Sequence, residues 1–334
     1  MIGGTLKTEL AEPPWLENAA GDTRRVGIEL EMSGLDLDAL AEEVAGLFDL
    51  EITTQGRYER LLRGDEAGEW VVELDYDLLK RLGREDREGR PLADEIGRST
   101  EEMLAWVAEG IVPVEIVSPP LPLSRLDEVE NMISHLREAG AEGTSASAVY
   151  AFGMQLNPEL PSHKPGVIRD CLAAFMCLYD WLLTRCDVDI TRRMTSYANP
   201  YPTNYIKRVL AADYQPDLAT LIDDYLADNP TRNRALDMLP LFKFLDEERV
   251  LARVDDTLIK ERPTFHYRLP DCRVDQPGWG LHEAWNDWIE VERLAADEER
   301  LHDCCAAYLK FLSSPVERLI GEWASTVDEE WLKG

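Results

Sequence analysis

Four short runs alternate apolar and polar residues so strictly that a β-sheet satisfies all of them at once. In residues 26–32, Val26, Ile28, Leu30 and Met32 take one register and Gly27, Glu29 and Glu31 the other. Residues 70–77 set Trp70, Val72, Leu74 and Tyr76 against Val71, Glu73, Asp75 and Asp77. Residues 112–118 set Val112, Val114 and Ile116 against Pro113, Glu115 and Val117, and residues 149–157 set Tyr150, Phe152, Met154 and Leu156 against Gly153, Gln155 and Asn157. Neighbouring side chains of a strand point to opposite faces. If the runs share one antiparallel sheet, one face is a packed core and the other gathers carboxylates and amides. A fifth run, 264–269, adds Phe265, Tyr267 and Leu269 to the first face and His266 and Arg268 to the second.

Between and beyond these runs the period changes to that of helices. Residues 124–139 carry an apolar stripe of Leu126, Val129, Met132, Ile133 and Leu136, with Ser124 placed to cap it and Gly140 to stop it. A further helix is expected near 100–109, after a highly charged, glycine-bearing stretch at 80–98 that reads as a solvated insertion. Past Pro165 helices dominate, at about 168–186, 218–227, 235–248, 281–311 and 315–326. A sheet-rich first half followed by a helix-rich second half is an α+β pattern, without the regular βαβ rhythm of a doubly wound sheet. The 334 residues are enough for one large or two ordinary domains. The expected division is a loose lead-in at 1–23, a catalytic domain at 24–275 and C-terminal helices at 276–334 packed on it.

Charge and cysteine content remove several functions. With 35 Lys+Arg against 65 Asp+Glu, the formal charge of −30 repels phosphate backbones and anionic lipid, so neither nucleic acid nor a membrane surface is an expected partner. The most apolar stretch, 171–179, is too short to span a bilayer and is flanked by Asp170 and Asp180. The six cysteines form no C-x-x-C pair, and Cys171, Cys177, Cys186 and Cys304 fall in apolar helical patterns. They read as small buried hydrophobes in a reducing, cytoplasmic setting. The five histidines show no paired zinc-site spacing, and neither a Walker A sequence nor a Gly-x-Gly-x-x-Gly turn occurs.

The polar register of the strands carries the chemistry. The first two runs present Glu29, Glu31, Glu73, Asp75 and Asp77 with no lysine beside them. Two readings are open: a face that is simply solvated, or carboxylates that repel one another unless a cation joins them. Hard oxygen donors suit Mg²⁺ or Mn²⁺, ions that bridge to nucleotide phosphates. The second half adds cations in loop or strand contexts, among them Arg208, Arg232, Arg234, Arg262 and Arg268, whose guanidinium forks match phosphate and carboxylate oxygens. Most would serve as ion pairs in a protein this acidic. Arg234, in the NRALDMLP segment, and Arg268, which shares a register with His266, lean towards function. A single histidine on a strand such as His266 more often serves structure than acid–base chemistry, and the tryptophans 279, 285 and 288 read as a packing face.

Several of these segments together resemble the amidoligase family, which is grouped with glutamine synthetase and glutamate-cysteine ligase. They are RVGIELE at 25–31, WVVELD at 70–75, VEIVSPPL at 114–121, REAGA at 137–141, FGMQLNP at 152–158, NRALDMLP at 233–240 and RPTFHYR at 262–268. The resemblance spans about residues 24–275. It implies a glutamine synthetase-like catalytic fold, with an antiparallel sheet whose acidic face cradles ATP and divalent metal and whose other face is covered by helices. The implied reaction activates a carboxylate as an acyl phosphate, releases ADP, and captures the acyl group with an amine. Position by position, Glu29 and Glu31 match the metal-binding strand, with Glu73 and Glu115 joining the ligand set. Asp75 and Glu115 match the acids of the second and third strands, with catalytic roles. Arg268 matches the basic residue at the phosphates or acyl group, and Arg234 a nucleotide-binding position. Gln155 and Asn157 occupy the register where many members have a Gly-x-His-x-His strand, so amides would take up part of the cofactor binding. Two other functions use the same face: a metal-dependent hydrolase or phosphoryl-transfer enzyme, and a catalytically silent nucleotide- or metal-binding scaffold.

Overall fold

The computed structural model describes residues 9–56, 58–74, 113–144, 152–186, 199–256, 258–314 and 322–332. It has an α+β architecture with a seven-stranded sheet and a helix-rich C-terminal half. Two compact units divide the chain. One comprises Gly27–Gln155 and Asp271–Leu281, and the other Met1–Val26, Leu156–Pro270 and His282–Gly334.

The first unit is built on the sheet. The strands of the sheet are β1 (Arg25–Met32), β2 (Glu51–Thr54), β3 (Glu59–Arg63), β4 (Trp70–Leu74), β5 (Val114–Val117), β6 (Leu121–Pro122) and β7 (Met154–Pro158), of which all but Arg25–Val26 and Leu156–Pro158 fall in this unit. The order is β2-β3-β4-β5-β1-β6, with β7 also paired to β1. The printed ladders between β2 and β3, β3 and β4, β4 and β5, and β5 and β1 are all antiparallel. The apolar register is buried as the alternation predicts: Val26, Ile28, Leu30, Met32, Trp70, Val72, Leu74, Val114 and Ile116 are all core residues. Helix α1 (Leu37–Phe48) lies on β2, β3 and β4 and against α2 (Leu126–Ala139). Asp36 caps α1 by accepting from the Ala39 amide at 2.8 Å, and Phe48 stacks on Trp70 with ring centroids 4.7 Å apart.

Helix α2 buries the stripe that its sequence sets out and stops at Gly140, whose φ of 99° suits a residue without Cβ. Its start differs from expectation. Ser124 lies inside a 3₁₀ turn, Leu123–Arg125, and makes no cap, because the chain leaves the sheet through Leu121 and Pro122 already tightly wound. Arg137, in the last turn of α2, donates to the Val274 carbonyl at 2.7 Å and to the Trp279 carbonyl at 2.5 Å. Together with the bonds from the Thr144 amide to Cys272 O and from Cys272 N to Phe152 O, it holds the Asp271–Leu281 segment to the sheet. Strands β2 and β3 were not evident from alternation. The first is exposed along its whole length, and the second, ERLLR, is too short to show a period.

The second unit is organised around α3 (Pro165–Arg185), buried without interruption from Cys171 to Leu178 and therefore a central helix rather than a surface one. Against it lie α4 (Thr203–Val209), α5 (Leu218–Asp228), α9 (Glu298–Ser313) and α10 (Trp323–Thr326). The helix expected at 235–248 is shorter and broken: Ala235 to Met238 lies outside the helix, with Leu236 in a bridge to Tyr267, followed by α6 (Leu239–Leu245) and α7 (Glu247–Leu251), parted at Asp246, which caps the second by accepting from Arg249 N. The long helix expected at 281–311 is likewise two, α8 (Leu281–Ala295) and α9, and Asp297 caps α9 by accepting from Arg300 N. The run 264–269 forms isolated bridges instead of a regular strand. The expected helix at 100–109 and the charged insertion at 80–98 lie outside the described residues.

Arg24 and Glu292 form a fully buried pair in this unit, with two bonds of 2.6 and 2.8 Å. The remaining donors of Arg24 reach Trp15 O and Glu159 O, and Trp288 Nε1 donates to Glu292 at 2.8 Å, so both ions are satisfied. Removing one partner would strand the other charge at about 3–5 kcal/mol. All six cysteines are reduced and buried, as expected of small hydrophobes. Burial raises the Cys171 and Cys177 thiols well above their usual range, which removes them as nucleophiles. Among the described residues no helix is long and apolar enough to cross a membrane.

Candidate functional site

Register aligns the acidic residues of the sheet. Glu31 of β1 stands opposite Glu115 of β5, Glu115 opposite Glu73 of β4, and Glu73 opposite Glu59 of β3. Four glutamates on four adjacent strands thus form one row perpendicular to the chain direction. Each is half-buried, while their neighbours in the chain, such as Leu30, Val72 and Ile116, are core residues. Glu29 shares the Glu31 register one step along β1, opposite Val117, and is buried. Like charges placed directly across strands destabilise a sheet, so a row of this kind carries a cost that β-propensity does not explain.

Strand β7 meets this row at Glu31. The Gly153 amide donates to Glu31 Oε2 at 2.7 Å, and Gln155 Nε2 donates to Oε1 at 3.5 Å. The carboxylate is therefore oriented by a backbone donor on one oxygen and a side-chain amide on the other. Oxygen donors only, from Glu29, Glu31, Glu73, Glu115 and the Gln155 amide, are the chemistry that hard divalent cations prefer. Among the described residues no three His, Cys, Asp or Glu side chains are gathered at metal-holding distances. Asp75 lies outside the described residues.

The remaining predicted residues belong to the helical unit, where three extended segments run side by side. Tyr267 bridges Leu156 on one side and Leu236 on the other, both antiparallel. The backbone bonds Tyr267 N to Leu156 O, Asp237 N to His266 O and Arg268 N to Ala235 O fix the register. By that register Asn157, His266 and Asp237 form one cross-strand row on a common face, while Leu156, Tyr267 and Leu236 form the apolar row beside it. Asp237 is wholly buried. One of its oxygens accepts from Leu239 N at 3.0 Å, and the other faces His266 Nδ1 at 3.6 Å.

Arg268 is next on the His266 face, and its Nη1 donates to Arg232 O at 2.6 Å. Arg234 donates to Pro200 O at 2.7 Å and to Asp228 O at 3.4 Å, with its guanidinium carbon 5.9 Å from the Tyr201 ring centroid. Other arginines of the group are ion-paired: Arg208 with Asp224 and Asp228, and Arg232 with Asp256. Burial pushes the Tyr201 and Tyr225 phenols well above their usual range, so neither exchanges a proton near neutrality.

Sequence reasoning missed the extension of the glutamate row to Glu59 and the placement of Asp237 against His266. Glu59 was hidden by the shortness of its strand. Asp237 fell in a segment read as helix, although a lone acid among Leu236, Met238 and Leu239 was itself a signal, since a buried carboxylate needs a partner.

No curated protein matches the chain. The sequence profile of a family described as putative amidoligase enzyme matches residues 22–290, which takes in the glutamate strands, the FGMQLNP strand, the NRALDMLP segment and the His266–Arg268 segment. With most of its length covered by that profile, the chain belongs to the putative amidoligase enzyme family.

Proposed function

We propose that the protein is an ATP- and Mg²⁺-dependent carboxylate–amine ligase that releases ADP, with a glutamine synthetase-like catalytic fold and the glutamate face of the sheet as its metal-binding surface. The observation that carries this reading is the row Glu31–Glu115–Glu73 inside the segment matched by the amidoligase family. A carboxylate is a poor electrophile. Mg²⁺-ATP, when bound, would supply the phosphoryl group that turns it into an acyl phosphate, from which an amine would displace inorganic phosphate.

Glu29, Glu31, Glu73 and Glu115 would hold the metal, with Mn²⁺ as an alternative ion. Their oxygen donors are of the kind that such an ion takes. Glu115, with Asp75, is assigned a catalytic part. The Gly153 amide and Gln155 hold Glu31 in one orientation, so little reorganisation is needed when ligand arrives. Arg268, Arg234 and Asn157 are assigned to the anionic groups of nucleotide and substrate. Arg268 Nη1 donates to Arg232 O, which fixes that end of its guanidinium.

Differential stability tests the reading. The thermal midpoint is measured with EDTA, with Mg²⁺, with ATP and EDTA, and with Mg²⁺-ATP. A native-state ligand at a hundred times its Kd stabilises by about 2.7 kcal/mol. The expected result is a rise with Mg²⁺-ATP larger than the separate effects summed, lost in Glu31→Gln when each protein is compared with its own midpoint in EDTA. No rise with millimolar Mg²⁺-ATP overturns the ATP-dependent reading. An equal rise in Glu31→Gln removes the glutamate row from it.

A further inference from the structure

We propose that the turn after α5 is a binding site for internal water, held on the side-chain amide of Asn229. The inference goes beyond the ligase reading and does not depend on it. Asn229 is wholly buried, and neither its Nδ2 nor its Oδ1 has a hydrogen-bond partner among the described residues. A primary amide carries two N–H donors and an oxygen with two lone pairs. Leaving both atoms unpaired away from solvent costs the full desolvation of the group.

The local backbone is already spent. An asparagine at a turn ordinarily directs its Oδ1 to the amide two residues on. Here that amide, Thr231 N, donates to Asn229 O at 2.8 Å, and Pro230 between them has no N–H to offer. Asn229 N donates to Tyr225 O at 2.7 Å, so the main chain of the residue is paired and only the side chain is left over. The phenols packed along this helix end are committed too: Tyr201 donates to Leu236 O, and the Tyr225 oxygen accepts from Met238 N at 3.2 Å. Arg234 makes a second demand in the same turn. Its Nη1 donates to Pro200 O and its Nη2 to Asp228 O, the carbonyl of the peptide bond into Asn229, while its Nε is buried without a partner among the described residues.

The chemistry of these groups selects the ligand. A cation would satisfy Oδ1 but face the Nδ2 protons and the Arg234 guanidinium. An anion would satisfy the donors but face Oδ1 and the Asp228 carboxylate next to it in the chain. Only a molecule that both donates and accepts serves every group. Water does so, accepting from Nδ2 and donating to Oδ1, and buried waters take about three such bonds. A water here would supply the partners that a proline in the turn has removed from the backbone.

Two measurements on the full chain test the site. A crystal structure at a resolution that orders internal solvent should show a water oxygen about 2.7–3.2 Å from Asn229 Oδ1 or Nδ2. In solution, the Nδ2 protons of Asn229 in protein labelled with ¹⁵N at asparagine should give a cross-relaxation peak at the water frequency. The signal is identified by its loss in Asn229→Leu. An amide whose two atoms both bond protein groups in the crystal overturns the proposal, as does one with an ion in place of water or with nothing within hydrogen-bond distance. The absence of a peak at the water frequency overturns it as well. Should Asn229→Leu fail to fold, the crystal structure of the parent decides alone, since it needs no variant.

Discussion

Asp65 shows how a single carboxylate ties together the sheet unit. Arg125 reaches both of its oxygens at 2.6 and 3.0 Å, Trp70 Nε1 donates at 2.9 Å, and the Ala67 amide at 2.8 Å. The Arg125 hydrogen bonds, with those of Trp70 and Ala67, hold its pKa down at about 2 from an ordinary 3.8. A carboxyl group whose folded pKa is depressed contributes stability that is complete above the unfolded value and is lost as pH falls through the folded one. The window here runs from about pH 4 down to about pH 2, and the contribution is about 2 kcal/mol. Asp65→Asn should therefore lower the denaturant midpoint at pH 7 and leave it nearly unchanged near pH 2, measured as chemical denaturation across that range. An equal loss at both pH values would mean that the residue acts through packing and not through charge. Asp287 has the opposite sign: burial raises its pKa to about 6 despite Arg185 at 3.1 Å, so it withdraws stability as pH rises from about 4 to 6.

Among elements, the turn from β1 into α1 depends on a close approach that only glycine allows. Gly34 has φ +85°, and a Cβ there would press into the Gly140 carbonyl and the Glu142 backbone. Beside it, Ser33 and Glu142 exchange two backbone bonds of 2.9 Å, which join the end of β1 to the segment after α2. Gly34→Ala should cost about 2–4 kcal/mol, combining backbone strain with displacement of that pair, read as a lowered thermal midpoint. Gly21→Ala, at a similar φ of +84° but with open space around it, should cost about 1 kcal/mol. If the two variants lose equally, the contact with Gly140 carries nothing. The elements also show what a sequence can reveal. Core strands with a strict period of two declared themselves through Ile28, Leu30, Val72 and Ile116, because one face of each is buried and the other is not. β2 did not, since both its faces are exposed. The breaks at Asp246 and Asp297 were hidden because helical period continues across them, and only the capping bonds to Arg249 N and Arg300 N mark the new start. The glutamates of the site were legible one strand at a time. Their alignment into a row was not, because register is a property of pairs.

At the scale of the whole chain the formal charge of −30 acts on every measurement of ligand binding. Self-repulsion at such a charge opposes compact structure, and salt screens it over a Debye length of about 10 Å at 0.1 M. Any cation raises stability to some degree in a molecule this acidic, so a rise with Mg²⁺ alone does not identify a site. The expected behaviour is a smooth increase of the thermal midpoint with NaCl that levels off as screening completes. A specific site adds a component that saturates at low Mg²⁺ and persists when ionic strength is held constant with NaCl. Screening is shared by all 65 acidic residues and is indifferent to any one of them, so Glu31→Gln, which removes one charge of many, should leave the NaCl curve essentially parental. The same variant should abolish the Mg²⁺-ATP component if the glutamate row is the metal surface. Midpoints for parent and variant against NaCl, then against Mg²⁺-ATP at fixed ionic strength, separate the two effects. A Mg²⁺-ATP component that disappears at fixed ionic strength would assign the whole response to the net charge and none of it to the row on β1, β4 and β5.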